Sequence, residues 1–174
     1  PGYDTKIVDE KFNEVPTGET GRLLVKGESL ALGYWNKYSK TKEVFVGEWL
    51  ITGDVYYKDE EGYYWYCGRS DDMIRSGGVW VSPIEVEKTL MEHPAVLEAA
   101  AVQGYTEQGL QRVKAVVTLR SGYSPSEDLV AELKRYVQEK LASYKKPEWI
   151  EFVDELPKTT TGKIQRYKLR EIED

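Results

Sequence analysis

The spacing of apolar residues changes character along this chain. Over residues 3–67 they come in short β-prone runs between turn residues. These are Lys6-Ile7-Val8-Asp9, Gly21-Arg22-Leu23-Leu24-Val25-Lys26-Gly27, Trp49-Leu50-Ile51 and Gly62-Tyr63-Tyr64-Trp65-Tyr66. Asp59-Glu60-Glu61-Gly62 reads as the turn before the last run, whose tyrosines form a half-buried strand, an aromatic stripe of the kind that serves as core or pairing surface. From Pro83 the period lengthens: Val86 and Leu90 share a helix face that stops before His93-Pro94, because proline disfavours helix in its predecessor. Residues 95–102 and 112–119 return to strand, the first apolar at nearly every position, as a strand covered on both faces is. Ser124-Pro125-Ser126-Glu127 then starts a second helix, with Leu129, Leu133, Val137 and Leu141 in a stripe at spacing four that covers the sheet. Residues 149–153 add a strand and 164–172 a short basic helix. The expected fold class is α/β (α+β): a β-rich part over residues 1–70, then a small domain over 71–174 with a three-stranded sheet core, helices and a hairpin.

Between these parts lies a junction, residues 68–87, rich in glycine, carboxylates and arginine and without helical period. Met73-Ile74 and Val79-Trp80-Val81 flank Ser76-Gly77-Gly78, so two short runs bracket a Gly-Gly turn and predict a tight hairpin with Trp80 on its exposed side. Ser82, Pro83 and Glu85 stand at the cap, first-helical and capping-box positions of the helix that follows. Asp71-Asp72 precedes the hairpin, and adjacent like charges resist burial together, so this point is expected to be solvated and able to bend. On spacing alone the stretch is also an ordinary loop, hairpin and helix.

Composition narrows the function classes. The 174 residues hold 24 Lys and Arg against 30 Asp and Glu, a net charge of −6 that argues against general binding to nucleic acid or anionic membranes. Cys67 is the single cysteine, so neither an internal disulfide nor a cysteine zinc site forms, and a cytoplasmic protein is expected. His93, the single histidine, reads as a helix-end residue, and no metal site is expected. No window reaches the roughly 20 apolar residues of a membrane span. The opening Pro1-Gly2-Tyr3 reads like mid-domain sequence, and a fragment of a longer protein is expected.

Two stretches carry candidate chemistry. Thr52-Gly53-Asp54 places a carboxylate after glycine in a turn at a strand end, where its two oxygens can accept both hydroxyls of a ribose; alone the tripeptide is a weak signal and usually just a turn. Leu156-Pro157-Lys158-Thr159-Thr160-Thr161-Gly162-Lys163-Ile164 makes an exposed loop with a lysine on a flexible stem, by itself a solvated surface lysine. It lacks the spacing of a Walker loop, which excludes that class of NTPase. Tyr144-Lys145-Lys146-Pro147 and Arg166 read as a solvated basic face, with attraction of a ligand's phosphate groups as the other reading.

These residues together resemble the adenylate-forming superfamily. Gly68-Arg69-Ser70-Asp71-Asp72-Met73-Ile74-Arg75 is similar to its Gly-Arg-x-Asp-Asp-x-Ile-Lys linker, with Arg75 where lysine is usual. Thr52-Gly53-Asp54, Gly33-Tyr34-Trp35-Asn36 and the Pro157 to Ile164 loop match three further stretches, and the Gly77 to Pro83 wording is most similar to benzoate-CoA and related aromatic acid ligases. The resemblance implies an AMP-forming acid-CoA ligase that joins a carboxylic acid, ATP and CoA through an acyl-adenylate, with Mg2+ held upstream of this chain. It implies that Asp54 and Arg69 meet the ribose and phosphate of ATP, and that Lys163 is the catalytic lysine of adenylation. Asp71 becomes the hinge between two poses, and Ser76, Gly77, Gly78 and Trp80 line the pantetheine tunnel, with Gly78 leaving room for the thiol. Acetylation at Lys163 is an implied switch. The phosphate loop, adenine site and acid pocket belong upstream in the family. Loading of a carrier protein, or an interaction module without chemistry, remain the other readings.

Overall fold

The computed structural model describes residues 2–170 and divides into two compact units, Pro1–Asp71 and Asp72–Asp174. In the first unit β1 (Tyr3–Val8), β2 (Gly21–Gly27), β3 (Phe45–Val46), β4 (Trp49–Lys58) and β5 (Tyr64–Arg69) form an antiparallel sheet in the order β1-β2-β4-β3, with β5 also on β4. Ile7, Val8, Leu24 and Val55 fill its core.

Three expectations for this unit are corrected. The strand expected at 49–51 runs on to Lys58, and Thr52-Gly53-Asp54 is a bulge inside β4 rather than a turn at its end. Arg22 pairs with Val55 but Leu24 with Ile51, so three residues of β4 stand opposite Leu23 alone. Gly53 at φ +76° makes the bend, and the Thr52 hydroxyl holds it by donating to the Leu23 carbonyl at 3.0 Å. Likewise β5 continues through Cys67 to Arg69, placing the cysteine within a strand. A helix, α1 (Tyr38–Val44), also stands where only strands and turns were expected. It buries none of its residues, so no apolar stripe announces it, and it is held locally by Thr41, whose hydroxyl donates to Lys37 O and accepts the Tyr34 N–H.

In the second unit β6 (Ile74–Ser76) and β7 (Val79–Val81) make the hairpin, followed by α2 (Pro83–Met91), β8 (Val96–Tyr105), β9 (Gln111–Leu119), α3 (Glu127–Lys140), β10 (Trp149–Phe152) and α4 (Arg166–Arg170). The three-stranded sheet has the order β10-β9-β8; β8 and β9 are antiparallel, and α3 is the crossover that lets β10 join β9 in parallel. Both faces are covered. Ala99 and Ala101 pack with Val86, Leu90, Leu133 and Val137 on one side, whereas Ala100 and Val102 pack with Leu156 and Leu169 on the other. That is why β8 is apolar at consecutive positions.

Ser82 caps α2, accepting the Glu85 N–H at 3.4 Å with Pro83 in the first turn. The second helix starts two residues later than expected, because Ser126 rather than Ser124 is the cap, taking the Leu129 N–H at 3.1 Å. Glu127 and Asp128 then lie in the first turn, where the positive end of the helix favours carboxylates. The final helix begins at Arg166, and the rest of the expected 164–172 span, beyond Arg170, lies outside the described residues. Among the described residues no helix is long and apolar enough to cross a membrane.

Candidate functional site

The bulge in β4 and the end of β5 build one constellation in the first unit. Asp54 and Arg69 are direct partners in the β4–β5 ladder, and Arg69 Nη1 donates to Asp54 Oδ1 at 3.0 Å and to the Thr52 carbonyl at 3.2 Å. The hydrogen bond to Asp54, with the charges of Asp54 and Asp71 adding, holds the Arg69 guanidinium above its ordinary pKa against some desolvation. Gly53 leaves room for this, since a Cβ there would lie 2.9 Å from Arg69 Nη2. The result is a half-exposed carboxylate beside a cation: an acceptor for paired hydroxyls next to a donor for a phosphate oxygen.

The hairpin of the second unit is the one its spacing predicts. Gly77 and Gly78 have φ +62° and +84°, as a two-residue turn with both central residues left-handed requires. A Cβ on either would meet nothing within 4 Å, so within this chain the need for glycine is conformational rather than steric. Trp80 is half-buried, not fully exposed, because Arg75 pairs with it across the strands and lays its guanidinium 4.7 Å from the ring centre. Ser76 turns its side chain inward and is 3% exposed.

The lysine loop is closed on itself. Lys158 and Ile164 form an isolated bridge, Thr159 N–H donates to Lys163 O at 2.8 Å, and the Thr159 hydroxyl accepts the Lys163 N–H at 3.1 Å. Gly162, at φ +82°, completes the turn. Below it, Leu156 is buried and Ile164 packs beside it, while Lys158 Nζ reaches Glu98 on β8 at 2.6 Å. The Lys163 side chain is exposed, and among the described residues no carboxylate lies within ion-pair distance of its ammonium.

Two of the basic residues read as a solvated face, Lys145 and Arg166, are instead matched internally. Lys145 bonds both oxygens of Glu85 at 2.7 and 2.6 Å, and Arg166 grips Glu87 with Nε at 3.0 Å and Nη2 at 2.8 Å. The expected solvated Asp71-Asp72 pair is also divided: Asp71 is exposed, but Asp72 takes Arg170 Nη2 at 2.7 Å and faces Arg166 at 3.8 Å. His93, just past α2, is buried: its Nδ1 accepts the Ala95 N–H and its Nε2 faces Glu132 at 3.1 Å, with Tyr136 edge-on. Glu87 was overlooked, although a signal existed. Pro83, Val86, Glu87 and Leu90 occupy the successive positions of a buried helical stripe, and all four are buried. Among the described residues no group of three His, Cys, Asp or Glu is placed to hold a metal ion.

Comparison with known proteins gives a consistent picture. Residues 85–163 match the AMP-binding enzyme C-terminal domain. Over 98% of its length the chain is 52% identical to a benzoate-CoA ligase of Thauera aromatica, of which it covers 32%. A solved benzoate CoA ligase from Burkholderia xenovorans superposes with a TM-score of 0.85 at 50% identity, covering 98% of this chain and 34% of that one. A solved anthranilate CoA ligase in complex with anthranoyl-AMP does so with a TM-score of 0.85 at 51% identity, covering 97% and 33%. The chain thus spans about a third of the length of the relatives it matches.

Proposed function

We propose that this chain, whose residues 85–163 match the AMP-binding enzyme C-terminal domain, is the C-terminal portion of an AMP-forming acid-CoA ligase. The full enzyme joins a carboxylic acid, aromatic and benzoate-like, to ATP as an acyl-adenylate and passes the acyl group to CoA. Residues 1–70 contribute the edge of the large adenylation domain, and residues 71–174 the lid that rotates about Asp71 between the two half-reactions.

The observation that carries this reading is the distribution of charge partners. Lys145, Lys158 and Arg166 each meet a carboxylate, whereas Lys163 is held outward on a self-closed loop with no such partner among the described residues. An ammonium so offered suits the negative charge that gathers between carboxylate and α-phosphate during adenylation, an electrostatic role. Asp54 accepts the ribose hydroxyls and Arg69 meets the phosphate side. ATP and CoA are the cosubstrates. Mg2+ is the expected metal, with its protein ligand placed elsewhere in the full enzyme as part of this proposal. The hairpin of Ser76, Gly77, Gly78 and Trp80 lines the pantetheine path in the second pose. The lone buried Cys67 suits a cytoplasmic enzyme.

The test separates the half-reactions in a full-length ligase carrying this sequence. Lys163→Ala slows acid-dependent pyrophosphate release by about 100-fold or more, yet leaves thioester formation from supplied acyl-adenylate nearly intact. Gly78→Asn does the reverse, because asparagine tolerates the left-handed turn and adds only the side chain. Both variants slowing the same half-reaction contradicts the two-pose assignment, and a requirement for a holo carrier protein in place of CoA redirects the acceptor. Acetylation of Lys163 removes its charge and is proposed as a switch; stoichiometric acetylation that leaves adenylation at its original rate refutes both the switch and the catalytic role.

A further inference from the structure

Glu87 is 6% exposed within an apolar stripe of α2, yet it is fully engaged: Oε1 accepts the Ala101 N–H of β8 at 2.9 Å and Arg166 Nε at 3.0 Å, and Oε2 accepts Arg166 Nη2 at 2.8 Å. A neutral side chain of similar volume with one acceptor, such as glutamine, would fill this place and keep the Ala101 bond without desolvating two charges, so packing and that one bond do not account for the pair. What the pair does is fix geometry, because a two-pronged guanidinium-carboxylate contact sets orientation as well as distance. Arg166 opens α4 three residues after Lys163. Its remaining nitrogen, Nη1, faces Asp72 Oδ2 at 3.8 Å, while Arg170, one turn on, holds Asp72 Oδ1 at 2.7 Å. Asp72 is the residue at which the second unit begins.

The lysine loop therefore stands on two feet. The upstream foot is Lys158 on Glu98 of β8, and the downstream foot is Arg166, shared between Glu87 and Asp72. Between them the loop closes through Thr159 and Gly162. We propose that Glu87 is a positioning residue for Lys163, acting through Arg166, and that this contact and Asp72 together register the lysine loop against the start of the mobile unit. The proposal rests on the adenylation role given to Lys163 above.

The test uses a full-length ligase carrying this sequence, with adenylation and thioester formation from supplied acyl-adenylate measured separately. Glu87→Gln keeps the size of the side chain and an acceptor for Ala101 but loses the charge that orients Arg166. It is expected to slow adenylation about 10- to 100-fold, the scale of a misplaced catalytic group, and to leave thioester formation within about twofold. In a Lys163→Ala background the same substitution is expected to add almost nothing, because a group acting only through Lys163 has nothing left to place. Glu87→Asp, which keeps the charge, restores part of the rate. Asp72→Asn, at a half-exposed position that tolerates exchange, gives the same selective slowing to a smaller degree and serves as the measure should Glu87→Gln not fold. A merely structural pair would slow both half-reactions and would add to Lys163→Ala; either result overturns the proposal, as does unchanged adenylation in Glu87→Gln or, where that variant does not fold, in Asp72→Asn. If Lys163→Ala itself leaves adenylation intact, the role of Lys163 fails first, and the positioning proposal with it.

Discussion

Gly53→Ala separates backbone strain from damage to the constellation of Asp54 and Arg69 proposed to meet the nucleotide. The native φ of +76° is a left-handed conformation that costs a residue with a Cβ about 1–2 kcal/mol. The new methyl would also lie 2.9 Å from Arg69 Nη2 and 3.3 Å from Cζ and Nη1. Those atoms are the far end of a flexible side chain, so Arg69 swings away and the sheet stays. Loss of its bond to Asp54 adds less than about 1 kcal/mol, because the two side chains are 50% and 30% exposed and water screens them. The sum is about 1–3 kcal/mol, read by denaturant unfolding followed through tryptophan fluorescence. Gly62→Ala is the matched control. Its φ is +91° and its Cβ would meet only Lys58 Cε, at 3.8 Å, so it carries the strain without touching Arg69. In a full-length ligase the KM for ATP is expected to rise several-fold for Gly53→Ala and to stay unchanged for Gly62→Ala. Equal KM effects in the two variants, or a Gly53→Ala protein as stable as the parent with the same KM, would refute the account of Gly53 as a spacer for the Arg69 guanidinium.

Three further outcomes follow from the packing and the charges. Leu133→Ala, at a fully buried position where α3 meets the sheet, is expected to cost about 2–5 kcal/mol in denaturant unfolding. Gly104→Ala would set a Cβ 2.8 Å from the Trp149 ring, an overpacking worth about 1–3 kcal/mol that also shifts the Trp149 emission. The Asp59 carboxyl is held below its ordinary pKa, first by the Trp65 Nε1–H bond at 2.6 Å and then by backbone N–H groups. Its contribution to stability is thus present above the unfolded value and lost as pH falls through the lower folded one. The Trp65 indole N–H resonance in NMR should therefore titrate below the ordinary aspartate midpoint of about 3.9, and a midpoint at or above it would disprove the contact.

The layout of the second unit was legible because its signals are redundant. The Gly77-Gly78 turn, the Ser82-Pro83 helix start and the spacing-four stripe of Leu129, Leu133 and Val137 each rest on a local rule, and the packed sheet agrees with all of them. The first unit was less legible where a single residue changes the pattern. Gly53 lets a ten-residue strand absorb what reads as a terminating turn, and α1 has no buried face for a period to reveal. The charged residues near the candidate site were misread for one shared reason. Hydropathy periodicity sorts residues into inside and outside, and by that sorting Lys145, Arg166 and Asp72 belong to solvent, although each closes a contact with a partner far along the chain. Glu87 is the exception that the pattern itself marks, a carboxylate at a stripe position between Val86 and Leu90. A charge cannot remain there without a partner, so its presence requires a cation from elsewhere in the fold, and the final arginines supply the candidates. Burial of one acidic residue thus assigns the neighbouring end of the lysine loop to the helix and sheet beneath it, and it leaves Lys163 as the lysine of that loop directed outward.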